Sequence, residues 1–181
     1  MWRYLGPAAA FVALGALFAY ALLRIDSGKL DVREIPSPLI GKLAPAWVLP
    51  TVVDPATRVD SKSLAGKPYL LNVWGTWCAE CRAEHPALLE LARTGAVSLI
   101  GVDWKDERAE AVAYLRQLGN PYQQTVADDD GRVAINFGVY GAPETFLISA
   151  DGRILAKHIG AMTTQVWREK FVPKLSPGGA P

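Results

Sequence analysis

Three patterns of apolar residues divide the chain. The first is unbroken: Leu5 to Leu23, "LGPAAAFVALGALFAYALL", is nineteen residues without a charge, bounded by Arg3 and Arg24. A helix rising about 1.5 Å per residue needs roughly 20 apolar residues to cross about 30 Å of hydrocarbon, so this run predicts a transmembrane helix. A cleaved signal peptide has a shorter apolar region, about 7 to 15 residues, and the length therefore favours an uncleaved anchor. The competing reading is cleavage after Ala19-Tyr20-Ala21, whose small-x-small form suits a signal peptidase. Either reading exports the rest of the chain. Flanking charge does not orient the helix, because Arg3 faces Arg24, Lys29 and Arg33, softened by Asp26 and Asp31.

The second pattern is the short, fully apolar run of a strand buried on both faces. "KPYLLNVWG", Lys67 to Gly75, and "AVSLIGVD", Ala96 to Asp103, have this form. The third is helical spacing. Ala83, Ala87, Leu88, Leu91 and Ala92 recur on one helical face, and "DERAEAVAYLRQLG" is amphipathic until Gly119 and Pro121 stop it. The order so far is β-α-β-α. "ETFLIS", Glu144 to Ser149, and "RILAKHIG", Arg153 to Gly160, then predict a hairpin closed by a tight Ala-Asp-Gly turn. A last helix is expected over about Thr164 to Phe171, limited by Pro173. These elements predict an α/β fold, a mixed β-sheet flanked by helices on both faces. Four segments follow: an anchor over residues 1–24, a tether over 25–40 with Gly28, Pro36 and Pro38, a folded body over 41–175, and a Pro/Gly-rich tail over 176–181.

Composition narrows the chemistry. The chain has 181 residues, is 50% hydrophobic and carries a formal charge of +1, so no basic surplus points to nucleic acid. Both of its cysteines, Cys78 and Cys81, lie in "NVWGTWCAECRAEH", at the junction between the first buried strand and the helix after it. A C-x-x-C pair can be a structural disulfide, half of a metal site, or a redox dithiol. The loop it closes is far shorter than the 15-residue loops worth about 3 kcal/mol, which makes stability a poor motive. A structural zinc site needs four ligands, and only His85 and His158 could join the thiols. Cys81 and His85 do lie i,i+4 on one helical face, so a copper-binding reading with Cys78, Cys81 and His85 stays open. The thiol positions favour exchange. Cys78 falls at the first turn of the helix, where unpaired N–H groups stabilise a thiolate, and Cys81 follows one turn later, placed to resolve a mixed disulfide.

"WGTWCAEC" followed by "GVYGAPETFLI" resembles the thioredoxin-like proteins, and specifically the cytochrome c maturation branch of thiol:disulfide interchange proteins, the CcmG/DsbE type. The resemblance covers about Gly41 to Lys174, includes the "GVDWKDERAEAVAYLRQLGNPY" insertion, and extends to the N-terminal anchor. It implies that Trp77 shields the nucleophile, that Pro143 is a cis-proline beside the cysteines, and that Ala142 offers backbone groups to an extended client strand. Pro86 matches the proline that kinks the active-site helix. Thioredoxin's buried aspartate is replaced here by Asn72, so another group must handle the proton. In the resembling branch that group is an acidic site, and the matching residues are Glu84 and Glu144. Spacing supports Glu84, an i,i+3 neighbour of Cys81. Glu80, between the cysteines, departs from the family's usual proline. A carboxylate there opposes thiolate stabilisation, making it a tuning charge on the redox couple.

The expectation is thus a membrane-anchored thiol:disulfide reductase in the periplasm. The resemblance implies apocytochrome c or a maturation partner as client and a membrane electron carrier of the DsbD or CcdA type as reductant. No prosthetic group is required. A general envelope reductant is the alternative; the peroxiredoxin pattern Pro-x-x-x-Thr-x-x-Cys does not precede Cys78.

Overall fold

The uncharged N-terminal run forms a single helix, α1 (Trp2–Asp26). Its segment Tyr4–Arg24 is long and apolar enough to cross a membrane, with mean hydropathy 1.9. The computed structural model describes residues 2–26 and 37–175. Most of the expected tether and the whole tail therefore lie outside the described residues. The chain divides into two units between Pro36 and Ser37, and the second carries the chemistry. That unit already packs upstream of the expected boundary at residue 41, where Leu39 lies against the core.

The core of the second unit is a five-stranded sheet in the order β5-β4-β3-β6-β7. Its strands are β3 (Tyr69–Trp74), β4 (Ser98–Trp104), β5 (Gln124–Asp128), β6 (Glu144–Ile148) and β7 (Ile154–Ile159). The first three are parallel, and β6 and β7 are antiparallel to their neighbours. A small hairpin of β1 (Val48–Pro50) and β2 (Arg58–Asp60) precedes them. The two crossovers, through α2 (Ala79–Thr94) and α3 (Arg108–Leu118), step in the same direction across the sheet. Parallel crossovers are right-handed, so both helices land on one face. Leu88 and Leu91 of α2, Ala111 and Leu115 of α3, and Phe171 near the C-terminus share a core there with Leu70, Trp74 and Leu99. The other face is covered by Trp47, Val59 and the short helix α4 (Arg132–Asn136), which meet Leu71, Val73 and Phe146.

Three parts differ from the expected pattern. Between the end of the insertion at Tyr122 and the β6-β7 hairpin, where no element was expected, lie the edge strand β5 and helix α4. The β1-β2 hairpin lay in a stretch where no element was expected. The last helix does not stop before Pro173: α5 (Thr164–Val166) passes through a π turn (Trp167–Phe171) into α6 (Val172–Leu175). Pro173 lacks an N–H and its ring crowds the carbonyl four residues back. The wider turn, in which the Val172 N–H reaches the Trp167 carbonyl, removes the tight spacing that a proline cannot join.

Candidate active site

Strand β3 delivers the cysteines. Cys78 is the N-cap of α2, in extended conformation, and its sulfur accepts the Cys81 N–H at 3.0 Å. The sulfur therefore occupies the place of a capping oxygen, where the free amides and the helix dipole favour negative charge. The two cysteines are joined in a disulfide. Cys78 is 6% exposed and Cys81 3%, so a partner has to reach the outer sulfur first.

The loop before Cys78 is fixed from the β4-α3 corner. Asp106 accepts both the N–H and, at 2.9 Å, the hydroxyl of Thr76. Trp77 is 55% exposed, and its indole N–H donates to the Trp104 carbonyl at 3.2 Å. The ring lies back over Gly75: a Cβ there would stand 2.5 Å from Trp77 Nε1, so any larger residue would push the indole out of this position. On the other side of the sulfur, the Ala142 carbonyl oxygen is 3.3 Å from Cys78 Sγ, and the Ala142–Pro143 peptide bond is cis. Trp77, Cys78 and the Ala142–Pro143 backbone are thus brought together at one surface.

Glu84 is buried at 1% exposure, one turn below Cys81. Its Oε1 accepts from Asn72 Nδ2 at 3.0 Å and its Oε2 from the Met162 N–H at 2.6 Å. Asn72 is held in turn: Tyr122 donates its hydroxyl to Asn72 Oδ1 at 2.7 Å, which turns the amide nitrogen toward Glu84 and Thr145. Burial pushes the Glu84 carboxyl up to about 7, against the two N–H donors, with Glu80 adding a smaller push in the same direction. A buried acid near neutrality can take or release a proton at physiological pH.

The two glutamates implied as one acidic site do not share one. Thr145 of β6 points toward Asn72 on the α2 face, and alternate residues of a strand point to opposite faces, so Glu144 faces the other way. There Glu144 is fully buried, with Lys157 Nζ 2.7 Å from its Oε2 and the Tyr140 N–H 3.2 Å from its Oε1. Glu80 is exposed on the first turn of α2. His85 is not turned to the sulfurs: its Nε2 meets the Gly119 carbonyl at 2.9 Å and its ring stands edge-on to Tyr114. Among the described residues no group of three His, Cys, Asp or Glu side chains could hold a metal.

Tyr122, Thr145, Met162 and Asp106 had no role in the sequence reading, because their partners are far away in the chain. Asp103 was also missed. It sits beside Trp74 across the β3-β4 ladder, buried, with its carboxyl pushed up to about 8 chiefly by burial and further by Asp106.

A C-x-x-C disulfide capping a helix at the end of a central parallel strand, opposite a cis-proline, defines a thioredoxin-fold thiol:disulfide oxidoreductase. The Redoxin family model matches residues 39–171. The chain is 47% identical over 160 residues to the thiol:disulfide interchange protein DsbE of Pseudomonas aeruginosa, covering 88% of each. It is 44% identical over 181 residues to DsbE of Allochromatium vinosum, covering 99% of this chain and 97% of that one. A secreted thiol-disulfide isomerase from Corynebacterium glutamicum shares the fold, with TM-score 0.65 at 22% identity over 74% of this chain and 85% of that one. The chain belongs to the Redoxin family and, within it, to the DsbE-type thiol:disulfide interchange proteins.

Proposed function

We propose that this oxidoreductase is a membrane-anchored reductant facing the periplasm, and that it reduces apocytochrome c, or a maturation protein that holds it, during c-type cytochrome assembly. The observation that carries the reductive mechanism is the placement of Cys78 Sγ between the N–H groups of α2 and the backbone beside the cis-proline. In the reduced chain the Cys78 thiolate attacks one sulfur of the client disulfide and releases the other as a thiolate, leaving a mixed disulfide. Cys81 then gives up its proton, with Glu84 as acceptor, and its thiolate attacks Cys78 Sγ. The second client thiol leaves and the Cys78–Cys81 disulfide forms, so the client gains two electrons and the chain loses two. Ala142 and Pro143 receive the client as an extended strand, and Trp77 covers the sulfur from the other side.

The anchor reading draws on α1, whose length suits a bilayer. The client and the membrane electron carrier of the DsbD or CcdA type that would restore the dithiol draw on the resemblance to the cytochrome c maturation branch. Trapping tests this reading. Cys81→Ser cannot expel the bound client, so the full-length variant in membranes is expected to accumulate a mixed disulfide on Cys78 with a protein carrying a Cys-x-x-Cys-His segment. Adducts only with unrelated envelope proteins would instead favour a general reductant, and recovery of no adduct would reject thiol exchange as the activity.

A further inference from the structure

The loop that carries Ala142 and Pro143 is tied to β7 at two places: at its far end the Gly160 N–H, just past β7, donates to the Pro143 carbonyl at 2.9 Å, and at its start one side chain of β7, Lys157, holds it. Lys157 Nζ donates to the Gly138 carbonyl at 2.9 Å and forms an ion pair with Glu144 at 2.7 Å. Gly138 and Glu144 are the two ends of the Gly-Val-Tyr-Gly-Ala-Pro-Glu box. Between these ends the ammonium lies 5.5 Å from the centre of the Tyr140 ring, and it lies 5.2 Å from that of Phe146 beneath. The Tyr140 N–H closes the arrangement by donating to Glu144.

The tip of this loop has little packing of its own. Tyr140 is 60% exposed, and a Cβ at Gly141 would meet nothing within 4 Å. The Lys157 side chain, by contrast, is only 8% exposed. A buried ammonium must be paired and hydrogen-bonded: here the Gly138 carbonyl at the start of the loop accepts its hydrogen bond and Glu144, the first residue of β6, supplies the counter-charge. The buried Val139 and Pro143 and the Gly160 N–H, which donates to the Pro143 carbonyl at 2.9 Å, hold part of the loop, and neutralisation of this charge holds its start and its end. What the position of the loop fixes is the Ala142 carbonyl, 3.3 Å from Cys78 Sγ.

We propose that Lys157 is a positioning residue for thiol:disulfide exchange: by gathering Gly138 and Glu144 it fixes the Ala142–Pro143 backbone against Cys78 and so sets the affinity for an extended peptide disulfide. Lys157 touches neither sulfur nor client. The role rests on the reading that Ala142 and Pro143 receive the client strand, and it assigns Glu144 to holding the loop rather than to moving protons.

The test uses the full chain in detergent, reduced and freed of reductant, mixed with a synthetic peptide that contains one intramolecular disulfide. Oxidation of the dithiol against peptide concentration gives a limiting rate and a half-saturating concentration, and alkylation of Cys78 against pH gives its thiolate profile. Lys157→Met is expected to raise the half-saturating concentration about tenfold with the limiting rate within about twofold, as a small misplacement of a docking group does. Lys157→Arg is expected to recover most of the loss. An unchanged half-saturating concentration in Lys157→Met overturns the proposal. So does a fall confined to the limiting rate with a displaced alkylation profile, which would make charge on Cys78 the cause. If Lys157→Met does not fold, Glu144→Gln/Lys157→Met, which leaves no lone buried charge, carries the same expectation. A wild-type chain that reduces 5,5'-dithiobis(2-nitrobenzoate) but shows no saturation with the peptide sinks the strand-docking reading itself, a result distinct from the other two.

Discussion

Glu84 and Glu144 are both buried, 1% and 0% exposed, and they lie on opposite faces of one sheet. Their partners differ in kind. Glu84 is met by two neutral N–H donors, from Asn72 and Met162, and its carboxyl is pushed up to about 7. Glu144 is met by an ammonium at 2.7 Å. Neutral donors soften the desolvation of a carboxylate without cancelling its charge, which leaves the proton exchangeable near neutrality. A cation supplies the missing charge and turns the same residue type into a tie between two pieces of chain. Burial alone therefore does not mark a proton-handling acid.

The largest effect is expected from breaking the ion pair. Lys157→Met leaves a buried carboxylate without its cation, and Glu144→Gln leaves a buried ammonium without its anion. Each is expected to destabilise the second unit by about 3 to 5 kcal/mol in urea unfolding, whereas the double variant should lose much less than the two added together. Additive losses would mean that the two charges are not coupled, and the contrast with Glu84 would fail.

Glu84 is expected to give a smaller but pH-dependent effect. Its carboxyl rises from 4.5 to about 7 on folding, so the folded chain holds the proton more tightly than the unfolded chain. Its contribution to stability is complete below pH 4.5 and is lost as pH rises through about 7. At about 1.4 kcal/mol per unit, the loss amounts to about 3 kcal/mol. Asp103, pushed up to about 8, drifts in the same direction, so the informative quantity is wild type minus Glu84→Gln across this window. A difference that stays flat from pH 4.5 to 7.5 would place the Glu84 carboxyl in its ordinary range.

How much of this was legible in the sequence follows from the length of each signal. Strands β3 and β4 announce themselves as apolar runs because both of their faces are buried, and the β6-β7 hairpin by its turn, where Gly152 takes φ +83°. Strand β5 has five residues with polar ends, and β1 has three including Pro50, too few for a periodicity. The π turn ahead of Pro173 is a backbone solution with no side-chain pattern. At the site, Asn72 revealed that the proton had to go elsewhere, and helical spacing singled out Glu84. Tyr122, which orients Asn72, lies 50 residues away. Lys157 was within reach: in the hairpin register Phe146 faces Lys157, which puts the lysine diagonally beside Glu144 on the same face. The resemblance instead drew Glu144 toward the acid of the other face.

The smallest effect belongs to Glu80, the exposed member of the three. It occupies the first turn of α2, two residues after Cys78 and one turn before Glu84. In water-facing surroundings its field is screened, so Glu80→Gln is expected to lower the Cys78 thiol only by a few tenths of a pH unit. The thiolate form is then slightly easier to keep, and the reduction potential should rise by about 10 mV. The same substitution should lower the Glu84 carboxyl, since Glu80 helps to push it up. Titration of Cys78 by alkylation, together with equilibration against a glutathione couple, measures both quantities on the redox side. A potential that stays level or falls would remove Glu80 from the redox couple and leave it a solvated charge at a helix start, while a coupled shift at Glu84 would tie the exposed glutamate to the buried one through a single turn of helix.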